Sequence, residues 1–136
     1  MAKKILIVDD EAEIQRFIQS SLRMQGYVTL LANNGNEALA LIASEQPDVV
    51  IMDVMMPIMD GFSALQLIRS NSDTAQLPVI MLTALDKEDS VSKGWREGAD
   101  LYLAKPFEVA DLARCLEAIF QNDYTLLPAP PSHRRR

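Results

Sequence analysis

Five short apolar runs recur along the chain, each followed by a segment with helical periodicity, and that alternation leaves few folds open. The runs are KILIVD (4–9), YVTLLA (27–32), DVVIMD (48–53), PVIMLT (78–83) and DLYLAK (100–105). All are rich in Val, Ile and Leu, as strands buried on both faces are. After the first run, Ile14, Phe17, Ile18 and Leu22 fall at helical spacing, with Gly26 as a stop. Residues 37–44, 62–70 and 108–121 read as further helices, and in the last of these Leu112, Cys115, Leu116 and Ile119 form one stripe. The segment 87–97 is the weakest. Only Val91 and Trp95 mark an apolar face there, and its internal Gly94 costs about 1 kcal/mol against alanine. Strict β-α alternation with apolar strands predicts an α/β fold, a parallel sheet covered by helices on both faces.

Charge gathers where those runs end. Asp9 and Asp10 close the first, Asp53 the third and Lys105 the fifth, while the fourth ends in Thr83. In a parallel sheet these ends share one edge, and ligands bind in the crevice where strand order reverses. If the second strand pairs outside the first, that crevice opens between strands one and three, which carry the aspartates. Neighbouring strands lie about 4.8 Å apart. Three carboxylates would then crowd one pocket and raise at least one pKa unless a cation intervenes. A hard divalent ion with oxygen ligands and retained waters suits such a site. Mg2+ and Lys105 together bring the three negative charges close to neutrality. A phosphoryl group on Asp53 would add oxygens for the metal, Lys105 and Thr83 to share. A carboxylate at the tip of a buried strand is thereby explained as a nucleophile.

What the chain lacks narrows the chemistry further. The only histidine is His133, near the C-terminal end, so Ser-His-Asp and Cys-His sites and histidine-ligated metals are excluded from the domain. Neither GxGxxG nor GxxxxGK[ST] occurs, which removes the usual dinucleotide and nucleotide cradles. One cysteine allows no internal disulfide and fits a reducing cytoplasm. No apolar run approaches the roughly 20 residues of a membrane span, and the start MAKKILIVDDE reaches acid too early for a signal peptide. The net charge is −6. Setting aside residues 122–136, with three arginines and one aspartate, leaves 10 basic and 18 acidic residues, a net −8. Such a domain repels phosphate backbones, so direct nucleic-acid binding is not expected. The segment NDYTLLPAPPSHRRR (122–136) has three prolines and little periodicity and reads as a linker or tail, leaving 1–121 as the domain.

The motifs ILIVDDE, VVIMDVMMPIMDG, VIMLTA and YLAKPF, in that order, closely resemble the receiver domain of two-component response regulators, over roughly residues 3–121. The resemblance implies a doubly wound five-stranded parallel sheet of order 2-1-3-4-5, the order of chemotaxis receivers, with five helices on two faces. It implies that Asp53 accepts a phosphoryl group from a histidine kinase or phosphotransfer protein. Asp9, Asp10, Asp53 and the backbone carbonyl of Met55 would hold Mg2+, and Thr83 and Lys105 would contact the phosphoryl oxygens. The Lys105–Pro106 bond is expected to be cis, an isomer only proline makes cheap. Tyr102 resembles the aromatic that moves inward or outward with phosphorylation, in concert with Thr83. Met55 and Leu85 occupy the positions that place or exclude the hydrolytic water. Neither side chain hydrogen-bonds water usefully, so slow self-dephosphorylation is expected. The family's output is a protein or effector domain, which the tail would precede unless the chain is a single-domain regulator. Self-association on phosphorylation stays open. However, two charged positions of the paired-charge dimer found in winged-helix regulators are here Leu101 and Cys115.

Plainer readings stand beside these. Asp10, with Glu13 three residues on, has the spacing of a helix cap; Thr83 is an ordinary β-branched strand residue; Lys105 is a solvated lysine; Tyr102 is core packing. Cys115 reads as a buried inert thiol, Asp60 and Gly61 as turn residues, and Arg134–Arg136 as a solvated end. Two rival functions use the same features. A phosphate-independent interaction module would not need Asp9, Asp10, Asp53, Thr83 and Lys105 all intact. An aspartate-dependent phosphohydrolase usually has its nucleophile after the first strand and a second acid two residues on, whereas here the nucleophile follows the third strand and position 55 is Met55. On the leading reading the domain assists its own modification but turns over no external substrate, and so is not an enzyme.

Overall fold

A computed structural model of the chain describes residues 2–84 and 98–127. Its elements are β1 (Lys4–Val8), α1 (Ala12–Met24), β2 (Val28–Ala32), α2 (Gly35–Glu45), β3 (Val49–Asp53), α3 (Gly61–Ser70), β4 (Val79–Ala84), β5 (Leu101–Lys105) and α4 (Val109–Gln121). All four strand pairings are parallel and the order is β2-β1-β3-β4-β5, the expected doubly wound sheet. The fifth expected helix, at 87–97, lies outside the described residues, as do Leu85 and Trp95.

Alternation along each central strand sorts the core into two layers, because successive side chains leave a strand on opposite faces. Leu6, Val8, Val50, Met52, Val79 and Met81 pack with Ala38 and Ile42 of α2 and Phe62, Leu65 and Ile68 of α3. Ile5, Ile7, Val49, Ile51, Ile80 and Leu82 pack with Ile18 and Leu22 of α1 and Leu112, Cys115 and Leu116 of α4. Both faces of β1 and β3 are thus covered, and the only polar exits from these strands are their ends.

One helix face differs from its sequence reading. Phe17 is 48% exposed and meets the Phe107 ring at a centroid distance of 6.5 Å. The buried positions of α1 are Gln15, Ile18 and Leu22. The helix is rotated so that a glutamine, and not the phenylalanine, faces inward. After α4 the chain turns through Asn122 into a short 3-10 helix, Tyr124–Leu126, and Tyr124 and Leu127 pack on the α1/α4 layer.

The N-terminus of α3 presses against the end of β3. A Cβ on Gly61 would stand 2.3 Å from the backbone oxygen of Asp53 and 2.8 Å from Cε of Met81. Only glycine allows that approach. At the opposite edge of the sheet, Arg69 of α3 donates to the carbonyls of Leu77 and Gly98 and to Asp100 Oδ2, which also accepts from the Val79 amide. This clamp fixes the strand starts from which β4 and β5 run toward the charged edge. Gly61→Ala should destabilise the protein by about 2–3 kcal/mol in urea unfolding, because the added carbon meets backbone. Gly26→Ala, at φ +93 but with open space around its Cβ, should cost only about 1 kcal/mol. Equal costs at the two sites would refute the steric account of Gly61.

Candidate functional site

Parallel register brings the predicted residues to one edge. Val8 pairs with Met52, so Asp9 and Asp53, one residue further on each strand, stand level. Asp9, Asp10 and Asp53 each place a carboxylate oxygen within 4.8 Å of the others, Asp9 and Asp53 buried and Asp10 exposed. From the end of β5, Lys105 Nζ lies 3.1 Å from Asp53 Oδ2 and 3.7 Å from Asp9 Oδ2. Thr83 is buried at the end of β4, one residue past Leu82, the register partner of Asp53. Tyr102 pairs with Met81, two residues before Thr83, so Tyr102 and Thr83 share a sheet face. Tyr102 is half-buried against the α2/α3 layer.

The electrostatics of this edge are unbalanced. Burial pushes the Asp9 carboxyl above its usual pKa, and the charge on Asp53 pushes it further; the Glu11 amide and Lys105 oppose the rise. Burial likewise raises Asp53, against the pull of Lys105 and a hydrogen bond from the Met55 amide, with Asp10 adding to the rise. At an effective dielectric of about 20, like charges 4–5 Å apart repel by roughly 3–4 kcal/mol. One ammonium cannot offset three such pairs and the desolvation as well. Asp9 Oδ2 is buried and has no hydrogen-bond partner among the described residues; Lys105 Nζ, at 3.7 Å, is its ion-pair partner. Converging carboxylates, one with an unsatisfied buried oxygen, and no His or Cys among them, make a donor set that fits Mg2+ or another hard cation.

The β3–α3 connection is tightly wound. The Met59 amide donates to the Pro57 carbonyl at 2.8 Å around Ile58, whose φ is +72. A β-branched residue in that region stores strain of about 1–3 kcal/mol. Met55 is 73% exposed, and Asp60 caps α3 through the Ser63 amide at 2.7 Å. The Lys105–Pro106 peptide is cis. Asp10 does not cap α1: the N-cap position is Glu11, whose amide donates to Asp9 Oδ1 at 2.9 Å. Burial, reinforced by Asp111, pushes the Cys115 thiol up to about 11, as an inert core cysteine requires. Two residues that matter here had weak sequence signals. Gly61 reads only as a turn residue. Gln15 is marked by falling on the 15-18-22 stripe, a polar interruption of an apolar face.

Because both carboxyls are raised in the folded state, their ionisation opposes folding. That cost is absent below the unfolded pKa and grows as pH rises through the folded values. In chelator, Asp53→Asn should therefore be more stable than wild type at pH 7, by on the order of 1 kcal/mol, with the gap closing as pH falls toward about 4. Urea unfolding across pH tests it; a variant less stable than wild type at pH 7 would contradict the charge imbalance.

The chain is similar to known proteins in sequence and in fold. The family model of the response regulator receiver domain matches residues 5–117. The protein named "Probable transcriptional regulator ycf27" of Guillardia theta is 46% identical over 120 residues, covering 88% of this chain and 46% of that protein. The response regulator MprA of Mycolicibacterium vanbaalenii is 41% identical over 121 residues, covering 89% and 52%. The chain thus spans about half the length of these curated relatives. Among solved structures, the chemotaxis protein CheY4 of Vibrio cholerae superposes with a TM-score of 0.83 at 34% identity, covering 88% of this chain and 99% of that one. The signal receiver domain of a signal transduction histidine kinase from Syntrophus aciditrophicus gives 0.84 at 32% identity, covering 89% and 92%. With the family model spanning nearly the whole sheet-and-helix unit, the chain belongs to the response regulator receiver domain family.

Proposed function

We propose that this receiver domain is a Mg2+-dependent phosphorylation switch in a two-component pathway, with Asp53 as its phosphoacceptor. The observation that carries the reading is the company Asp53 keeps. It is a buried carboxylate with Lys105 Nζ at 3.1 Å, sharing its pocket with Asp9 and Asp10. A carboxylate oxygen of Asp53 attacks the phosphorus of a partner's phosphohistidine. The new O–P bond forms as the P–N bond breaks, and the imidazole leaves with the bonding pair. Lys105 and Thr83 bind the transferred oxygens, so the domain's contribution is positioning and charge stabilisation. Asp9, Asp10, Asp53 and the Met55 carbonyl would hold Mg2+, which neutralises charge on the phosphoryl group when bound.

Drawing Thr83 toward the phosphoryl group frees space on the sheet face it shares with Tyr102, which links the modification to a partner-binding surface. The partners are a histidine kinase or phosphotransfer protein on one side and an output protein or effector domain on the other. The name of the ycf27 relative, a probable transcriptional regulator, supports an output in transcription, with residues 122–136 as the connection to it. The domain's negative charge speaks against direct nucleic-acid contact by residues 1–121. Leu101, 3% exposed, and buried Cys115 offer no charges for a paired-charge dimer. No helix among the described residues is long and apolar enough to cross a membrane; the cytoplasm, where such kinases draw on ATP, is the proposed compartment.

Radiolabelled acetyl phosphate with Mg2+ is the direct test. Wild type should acquire stable label, and Asp53→Asn or wild type in chelator should acquire none. Continuous release of phosphate would instead indicate a phosphohydrolase, and no labelling a phosphate-independent module. In a chase, wild type should lose label several-fold more slowly than Met55→Asn/Leu85→Glu, which puts polar side chains at the two positions proposed to govern the hydrolytic water. Equal decay would refute the role given to Met55 and Leu85.

A further inference from the structure

We infer that Gln15 is a positioning residue for the cation site, holding Asp9 so that one carboxylate oxygen is presented to the ion; this rests on the proposed Mg2+ reading of the site. Gln15 is 6% exposed, and its Nε2 donates to the backbone carbonyl of Asp9 at 2.6 Å, to that of Ala32 at 2.9 Å and to Asn33 Oδ1 at 3.0 Å. Two protons serve three acceptors, so the amide sits at the centre of a small knot joining α1, the end of β1 and the β2–α2 connection.

Around Asp9 that knot is nearly complete. Its amide donates to the Ala32 carbonyl at 3.1 Å, its carbonyl accepts from Gln15, and its Oδ1 accepts from the Glu11 amide at 2.9 Å. Every polar group of Asp9 is hydrogen-bonded among the described residues except Oδ2, the buried oxygen that has only the ion pair with Lys105 at 3.7 Å. With backbone and Oδ1 both tied, the side chain cannot rotate Oδ2 away from the acidic cluster. Among the described residues, Gln15 supplies the one hydrogen bond to Asp9 that comes from another element's side chain, Lys105 contributing only the longer ion pair. It does so without charge. A lysine or arginine reaching the same carbonyls would add a cation beside the ligands and compete with a divalent ion; the neutral amide fixes geometry and leaves the charge deficit intact. Groups that orient metal ligands in this way typically contribute 10–100-fold in affinity.

Mg2+ titration followed by amide NMR, with hydrogen exchange measured in chelator, separates this role from general stability. Gln15→Met keeps the side chain's length and removes both donors. It should weaken Mg2+ binding about tenfold and speed exchange of the Asp9 amide in the metal-free protein. Leu22→Ala, a core truncation on the same helix away from Asp9, should lower stability yet leave the Mg2+ affinity as in wild type. Should Gln15→Met fail to fold, Gln15→Asn, one methylene too short to reach the carbonyls, is read the same way. Unchanged affinity in the Gln15 variant, or an equal loss in Leu22→Ala, would overturn the inference. Absence of Mg2+ binding in wild type would instead sink the cation reading itself, while Asp9 exchange in chelator would still decide whether Gln15 anchors Asp9.

Discussion

Lys105 reaches across the sheet edge to Asp53 and Asp9, one ammonium set against three carboxylates in a pocket that shields two of them from water. A buried charge without a partner is expensive, and two like ones side by side are worse. The architecture carries that cost at one place and is conventional elsewhere. Strands apolar on both faces drive the helices onto the sheet, and the polar groups can then emerge only at strand ends. Parallel pairing puts those ends on one edge, and the 2-1-3-4-5 order puts β1 beside β3, so that the acids meet.

Holding that edge requires close approach from several directions. Gly61 lets α3 start against the Asp53 carbonyl, and Gln15 brings α1 and the β2–α2 connection onto Asp9. Far from the charges, Arg69 ties the starts of β4 and β5 through Leu77, Gly98 and Asp100. The strain at Ile58 sits in the connection that follows Asp53, where the chain must turn sharply from strand to helix. A site short of positive charge on a rigid frame is suited to respond to an incoming ion or phosphoryl group, since either changes the balance that the frame resists.

Most of this was legible in the sequence for a physical reason. Doubly buried strands write themselves as unbroken apolar runs, and a charged residue closing such a run stands out; Asp9, Asp53 and Lys105 were found in that way and do meet. Strand order was legible only through the family resemblance, because apolar runs of similar length pair equally well in several orders. Helix orientation was less secure. Phe17 falls at the helical spacing of Ile14, Ile18 and Leu22, yet it is half exposed, while α1 turns Gln15 inward to donate to the carbonyls of Asp9 and Ala32. Gly61 was visible as a turn former, while the 2.3 Å approach that demands glycine depends on tertiary packing and leaves no local mark.

The claim on which the rest depends is that the acidic edge lacks positive charge and that Lys105 competes with a cation for it. Calorimetric titration of Mg2+ into wild type and Lys105→Met measures this directly. Wild type should bind one ion, and Lys105→Met, having lost the competing ammonium, should bind it several-fold more tightly. Weaker or unchanged binding on removal of Lys105 would contradict the account.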